Sequence, residues 1–242
     1  MAEDEIIKKH TKAVYKAYKD PEKDWKHKLK DILLEIAIIV FAVSISIWFH
    51  NWSEDMKDRG AEKEFLMGLK TDLAADIKEM DGDRASLKKE MVAVSYFQRV
   101  GGGEAVNEDS LKKNFWIFFA ATQINPRVAR YETLKGSGKL DIISNKKLLY
   151  DITDLYQKDF PQIFRMNQTV NSLVSDKIDV FIEDNVNLAA SGNILNAQDL
   201  LRKSKMRILL LQCGGMANSV NAYNIAISKS NDIIKEIKKE LE

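Results

Sequence analysis

Histidine and cysteine are the residue types best suited to proton transfer, nucleophilic attack and metal binding. The three histidines, His10, His27 and His50, all precede residue 51. No later histidine can complete a Ser-His-Asp, Cys-His or His-Glu-x-x-His arrangement. The single cysteine, Cys213, excludes an intramolecular disulfide and a four-cysteine zinc site, and its apolar neighbours predict a small buried side chain. The sequence therefore predicts no catalytic residue, no metal site, no cofactor and no enzymatic activity.

One glycine-rich segment, residues 133–139, is weakly similar to a phosphate-binding loop. It lacks the first required glycine, no strand pattern precedes it, and Leu140 follows its lysine where a serine or threonine is needed. We interpret it as a turn between helices. The net charge of +1 creates no global field that attracts nucleic acid, so no nucleic-acid partner is expected.

The strongest pattern is an apolar run over residues 32–49 with one charge, Glu35. As a helix these residues are about 27 Å long, close to the ~30 Å hydrocarbon core of a bilayer. Trp48 and Trp52 fit the aromatic belt at a membrane interface. A signal peptide has a shorter apolar core and a small-residue cleavage site, and a buried helix of a soluble protein keeps a polar stripe. The run predicts one transmembrane helix within residues 31–52, with the lipid bilayer as a partner.

The positive charges flanking this helix indicate its orientation. Nine lysines lie in residues 1–31, whereas residues 50–70 hold Lys57, Arg59, Lys63 and Lys70. This bias predicts a cytoplasmic lysine-rich arm over residues 1–30 and a domain over residues 53–242 that lies in the periplasm or outside the cell. The arm has two open interpretations, an amphipathic segment lying on the anionic inner leaflet or a solvated tail.

Four residues of the transmembrane helix are candidates for a functional surface. Glu35 lies one turn inside the near end, where it is either an interfacial acid that reaches the headgroups or an acid in a helix–helix contact or ion path. Ala42 and Ser46 form a small-xxx-small pair with Ser44 nearby, a pattern that lets a second helix approach closely. We therefore predict self-association or an ion path through Glu35, Ala42, Ser44 and Ser46.

Residues 53–242 carry helical periodicity with no competing strand pattern. Residues 62–97 predict an amphipathic helix with coiled-coil character, either bent at Gly60 or continuous with the membrane helix. The three glycines at 101–103 should end it. A helix should begin near Asn107 or Asp109. A long helix kinked at Pro161 should be capped by Asn145 or Ser144, and a final helix should cover residues 197–241, with a break at Gly214 left open. The expected fold is all-α: a transmembrane helix and an elongated antiparallel bundle built around three helices of roughly 35–45 residues.

A second helix holds four large aromatic rings within five positions, Phe115, Trp116, Phe118 and Phe119. Rings on most sides of a helix indicate burial in the bundle, or else contact with a partner or the bilayer surface. We expect core packing.

Two stretches of the chain, residues 46–82 and residues 131–145, resemble an uncharacterised family of single-pass Bacteroidota inner-membrane proteins, a domain of unknown function. The shared features are a glutamate in the apolar run, an Asn-Trp pair after it (here Asn51 and Trp52) and a helical remainder. The longer lysine-rich arm and the Trp-Phe-His triplet before Asn51 depart from the family pattern. The resemblance implies an inner-membrane location and carries over no activity.

Three functions fit these observations. The first is a membrane-anchored structural or interaction protein that self-associates as a homo-oligomer or scaffolds a complex with other envelope membrane proteins. The second is a periplasmic sensor-like bundle that signals through a partner, because the cytoplasmic arm is too short for an output domain. The third is an oligomeric channel or transport accessory built around Glu35.

Overall fold

The computed structural model describes residues 8, 9, 11, 12, 15, 25–118 and 121–242. The chain divides into two compact units, Met1–Glu62 and Lys63–Glu242. The Asp20-Pro21 pair predicts a helix start, but it lies outside the described residues, as do most of the lysine-rich arm and Phe119. Within the described ranges the secondary structure is helical, apart from one isolated antiparallel bridge between Leu188 and Ile194. The prediction of an all-α fold is confirmed.

Helix α1 extends from Trp25 to Gly101 and is continuous across Gly60. The segment contains no proline, so no backbone donor is missing along its 77 residues. It ends at the predicted glycines: Gly103 has a φ of +124°, a conformation that disfavours any side chain. The amide of Glu104 then donates to the carbonyl of Arg99 at 3.1 Å, which satisfies one of the last carbonyls of the helix.

Shorter helices form the rest of the described chain. Two of them begin at asparagines, as predicted: the Asn107 side chain accepts from the amide of Ser110 at 2.9 Å, and the Asn145 side chain accepts from the amide of Leu148 at 3.0 Å. The helices are α2 (Glu108–Phe118), α3 (Ala129–Gly136), α4 (Lys146–Asp154), α5 (Phe160–Leu173), α6 (Val180–Asn185), α7 (Ala197–Arg202), α8 (Ser204–Gln212) and α9 (Met216–Leu241).

Two π-helical turns interrupt the predicted long helix after Asn145. The first, Leu155–Asp159, lies directly before Pro161 and joins α4 to α5. Proline lacks an amide donor and its ring crowds the preceding turn, and a wider turn relieves both problems. The second, Val174–Asp179, joins α5 to α6 and has no proline to predict it.

The prediction of one final helix over residues 197–241 is wrong in one respect. The backbone of Lys203 is extended, with φ −58° and ψ 134°, so α7 and α8 are separate helices. The possible break at Gly214 is real: a 3₁₀ turn, Cys213–Gly215, separates α8 from α9. The expectation of three helices of 35–45 residues is therefore wrong, because α1 is longer and the later helices are divided.

The core of unit Lys63–Glu242 forms between α1, α4–α6 and α7–α9. Hydrogen bonds give the register: Tyr223 in α9 reaches Asp83 at 3.1 Å, and Gln98 donates to the carbonyl of Leu210 at 2.9 Å, so α8 and α9 run antiparallel to α1. The predicted coiled-coil stripe faces this core. Ile77 and Met91 are half-buried against it, and the other members are 0–5% exposed: Leu66, Leu69, Leu73, Met80, Leu87 and Val94. The stripe is therefore buried by the chain's own helices.

Candidate functional site

The apolar run of α1 is not buried within the chain. Every described side chain of residues 32–49 is exposed or half-buried, and the helix is long and apolar enough to cross a membrane. Trp48 and Trp52, the predicted interface anchors, are both more than half exposed, and their rings stack with centroids 6.5 Å apart. The exposed run is one candidate functional surface.

The predicted membrane residues divide between two sides of the helix. Glu35, Ala42 and Ser46 are half-buried, together with Ile32 and Ile39. The steps between these residues are three and four, which places them on one stripe. Ser44 is exposed, and at 100° per residue it lies about 200° around the helix from Ala42. The structure therefore brings three of the four predicted residues together and places Ser44 on the other side.

A second candidate site was not predicted from the sequence. A cleft of about 800 Å³ opens in unit Lys63–Glu242 between α2, the end of α6 and residues 186–195. Its volume lies in the range of small-molecule sites, about 300–1,000 Å³. The described residues lining it are mainly apolar. The aliphatic and aromatic ones are Val106, Leu111, Phe115, Trp116, Ile182, Val186, Leu188, Ile194, Leu195 and Ala197.

One wall of the cleft is a short, internally bonded loop, residues 186–195. The amide of Leu195 donates to the carbonyl of Asn187 at 2.8 Å, and Gly192 supplies the positive φ, +79°, that the tip requires. Asn196 closes the base, since its side chain accepts from the amide of Asn187 and donates to the carbonyl of Asn185, both at 2.8 Å. These bonds hold exposed leucines, Leu188 and Leu195, at the cleft wall.

The opposite wall is fixed by two polar contacts at the start of α2. The Gln198 side chain accepts from the amide of Val106 and donates to the carbonyl of Glu104, both at 2.9 Å. The Tyr96 hydroxyl contacts the backbone amide and carbonyl of Asn107, the capping residue, at 3.2 and 3.0 Å. Because α1 and α7 both hold this segment, the cleft has a defined shape before any ligand enters.

The expectation that the aromatic helix packs wholly in the core is wrong for Trp116. Leu111 is buried and Phe115 half-buried against the second core cluster, but the Trp116 side chain is 74% exposed. Its ring lies edge-on to Phe115 with centroids 5.3 Å apart. Helix α2 has too few packing neighbours to bury rings on every side, so Trp116 borders the cleft instead.

The charged residues of the cleft are mostly acidic. Glu108, Asp179 and Glu183 line it, against one ammonium group, that of Lys112. Asp179 ends the π-helical turn Val174–Asp179, and its Oδ1 is buried without a hydrogen-bond partner in the described chain. Burial raises the pKa of Asp179 above its usual value, and the nearby Glu183 carboxylate raises it further. A buried carboxylate oxygen without a donor is unfavourable until a donor reaches it.

Two other titratable groups lie in the core between α1 and α8. Glu90 accepts a hydrogen bond from the Thr122 hydroxyl at 3.2 Å, and burial raises its pKa to about 7. Cys213 is buried, as predicted, and its burial raises the thiol pKa to about 11. A thiol that stays protonated at neutral pH is a poor nucleophile.

Sequence periodicity could not find the cleft, because its walls come from segments 60 or more residues apart whose meeting depends on the tertiary fold. The available signal was compositional: apolar residues in a loop, Leu188 and Leu195, and an aromatic excess on a short helix. Comparison with family models, curated proteins and solved structures finds no match to this chain.

Proposed function

We propose that the protein is a membrane-anchored interaction protein of the cell envelope. The observation that carries this proposal is the exposed apolar run of residues 32–49. Eleven of its large apolar side chains are at least 40% exposed. At about 2 kcal/mol for each such side chain removed from water, a bilayer stabilises the run by on the order of 20 kcal/mol. The lysine bias supports a cytoplasmic N-terminus and a periplasmic unit Lys63–Glu242.

The anchor is tested by membrane fractionation and by labelling of single cysteines. The protein should stay in the membrane pellet after alkaline carbonate extraction. A cysteine at exposed Glu64 should react with a membrane-impermeant maleimide in intact cells, while Cys213, being buried, provides a low background. Release by carbonate contradicts the anchor. Labelling only after lysis contradicts the orientation and leaves the anchor intact.

Self-association, if it occurs, should use the membrane stripe, because the stripe of leucines beyond residue 62 is buried inside its own unit. Ala42 lies on the membrane stripe and Ser44 on the opposite side of the helix, which makes them a matched pair. Oxidation of membranes should cross-link an Ala42→Cys variant into dimers and leave Ser44→Cys monomeric. Equal cross-linking of both variants, or a single-subunit mass in detergent, contradicts assembly through this stripe.

The cleft favours a second function, a sensor-like bundle that binds a ligand outside the cytoplasm. Its support is a preformed apolar cavity of about 800 Å³ with one buried acceptor. A ligand that binds only the folded state raises thermal stability by mass action. Fractions of periplasmic extract should therefore raise the melting temperature of wild-type protein and have less effect on a Trp116→Ala variant. An unchanged melting temperature in all fractions weakens the sensor function and leaves the anchor unaffected.

A further inference from the structure

The cleft between α2 and residues 186–195 combines an apolar interior, an aromatic ring at its border and an excess of acidic side chains. We propose that it binds a small organic ammonium ion that carries an apolar body. Asp179 pairs with the ammonium group, and the aliphatic walls and Trp116 pack against the apolar body. The inference goes beyond the membrane-anchor function and does not depend on it.

The case for a cation begins with the charges of the lining. Three carboxylates, on Glu108, Asp179 and Glu183, stand against the single ammonium of Lys112 among the described lining residues. An anion would meet this excess of negative charge and could not donate to Asp179. A neutral apolar molecule would fill the cleft and leave its three carboxylates without a counter-ion. An ammonium ion supplies the opposite charge.

Asp179 differs from its exposed neighbour Asp176 in the same π-helical turn. The Asp176 carboxylate already accepts a hydrogen bond from the Ser175 hydroxyl at 2.6 Å and does not line the cleft. Burial penalises the charged form of Asp179, as its raised pKa indicates. A bound cation removes that penalty, because a charge-assisted hydrogen bond is stronger than one between neutral groups.

The rest of the lining fits the apolar body of such a ligand. Leu188 and Leu195 are 58% and 70% exposed, although loop leucines normally turn away from water. Trp116 adds an aromatic face, the best side chain for contact with an ammonium group through its π electrons. A ligand that covers these three side chains removes apolar area from water.

The size and anchoring of the cleft favour a small molecule over a peptide helix. Its volume of about 800 Å³ is that of a drug-sized pocket. Its walls are fixed by Gln198 on one side and Asn196 on the other. A fixed pocket binds a small ligand without a large ordering cost.

The test compares tryptamine with tryptophol, which has the same indole ring and a hydroxyl in place of the ammonium. The full-length protein, in nanodiscs of zwitterionic lipid, is dialysed to equilibrium against each compound, and retention by empty nanodiscs is subtracted. Tryptamine should bind at least tenfold more tightly than tryptophol. An Asp179→Asn variant should lose that preference, whereas the matched Asp176→Asn variant should retain it.

Circular dichroism would detect misfolding of Asp179→Asn. A second variant, at Leu195, tests the proposal in that case. Leu195 lies in the exposed loop, so Leu195→Lys adds a cation to the cleft without disturbing the core. It should weaken tryptamine severalfold and tryptophol little. Equal affinity of wild-type protein for both compounds, binding of neither, or a preference that survives Asp179→Asn overturns the proposal. So does retention of a lysine-containing apolar peptide where tryptamine is not retained.

Discussion

Replacement of Glu90 by glutamine should stabilise the protein at alkaline pH and not at acidic pH. The Glu90 side chain lies on α1 with 2% of its surface exposed. Burial raises its pKa from 4.5 to about 7, and the hydrogen bond from Thr122 opposes this only in part. The nearby thiol of Cys213 stays neutral, because its pKa is about 11. Glutamine keeps the shape of Glu90 and the acceptor for Thr122 while removing the charge.

The sign and size of the effect follow from proton linkage. Below pH 4.5 the carboxyl is protonated in the folded and unfolded states, so it adds no pH dependence. Between pH 4.5 and about 7 the folded state holds a proton that the unfolded state has lost, so stability falls as pH rises. At 1.36 kcal/mol per pKa unit, the free energy of unfolding above pH 7 is lower by about 3 kcal/mol because of Glu90. Glu90→Gln should restore about 2–3 kcal/mol of this, since burial of the amide also has a cost.

Urea unfolding of the full-length protein in mild detergent, followed by far-ultraviolet circular dichroism at several pH values, measures this difference. We expect the apolar run of α1 to stay helical in micelles, so the urea-dependent signal should report unit Lys63–Glu242. The difference in free energy of unfolding between wild type and Glu90→Gln should increase as pH rises from 5 to 8. Glu64→Gln, at an exposed position of the same helix, should show no such increase. A Glu90→Gln variant that is equally stable at every pH, or less stable at pH 8, refutes the reasoning.

Three further substitutions test the packing of the same unit by urea unfolding. Gly101→Ala should lower the free energy of unfolding by about 1–3 kcal/mol, because a methyl group there would lie 2.8 Å from the carbonyl oxygen of Leu201. The control Gly60→Ala, with no atom within 4 Å of the added methyl group, should be neutral or stabilising. Tyr223→Phe should cost about 1–3 kcal/mol, because the hydroxyl accepts from Asn167 at 2.7 Å and donates to Asp83 at 3.1 Å. Lys229→Met should destabilise the protein, because its ammonium pairs with Asp154 and, at 2.6 Å, with Asp159; an unchanged midpoint would contradict the importance of that contact.

The sequence predicted helix starts and ends well wherever one residue type determines the backbone. Asn107 and Asn145 mark helix starts because their side chains accept from the first free amides. Gly103 marks the end of α1 because few other residues adopt its φ. These are local effects, so a single sequence contains them.

The cleft and the internal breaks depend on contacts that a single sequence does not contain. The π-helical turn that ends at Asp179 has no proline or glycine to indicate it. The exposure of Trp116 follows from how much surface the neighbouring helices leave uncovered, not from α2 itself. Asp179 therefore looked like one of many surface carboxylates, because only the tertiary fold buries its Oδ1 without a partner.

The two stripes on α1 share a three- and four-residue spacing but differ in composition, and the difference matches their surroundings. Beyond residue 62 the buried positions of the stripe are mainly large and apolar, with Asp76 and Glu90 as charged exceptions, and removal of the large apolar side chains from water drives their packing. In the apolar run the stripe contains Glu35, Ala42 and Ser46. In a bilayer, a large apolar side chain gains little free energy when it exchanges contact with lipid tails for contact with another helix. Small residues instead allow two backbones to approach closely, and polar residues form hydrogen bonds between helices. The stripe of α1 thus contains mainly leucines in the part that we expect to be surrounded by water. It contains small residues in the part that we propose is surrounded by lipid. This contrast supports the proposed anchor and favours the membrane stripe as the surface through which we propose that copies pair.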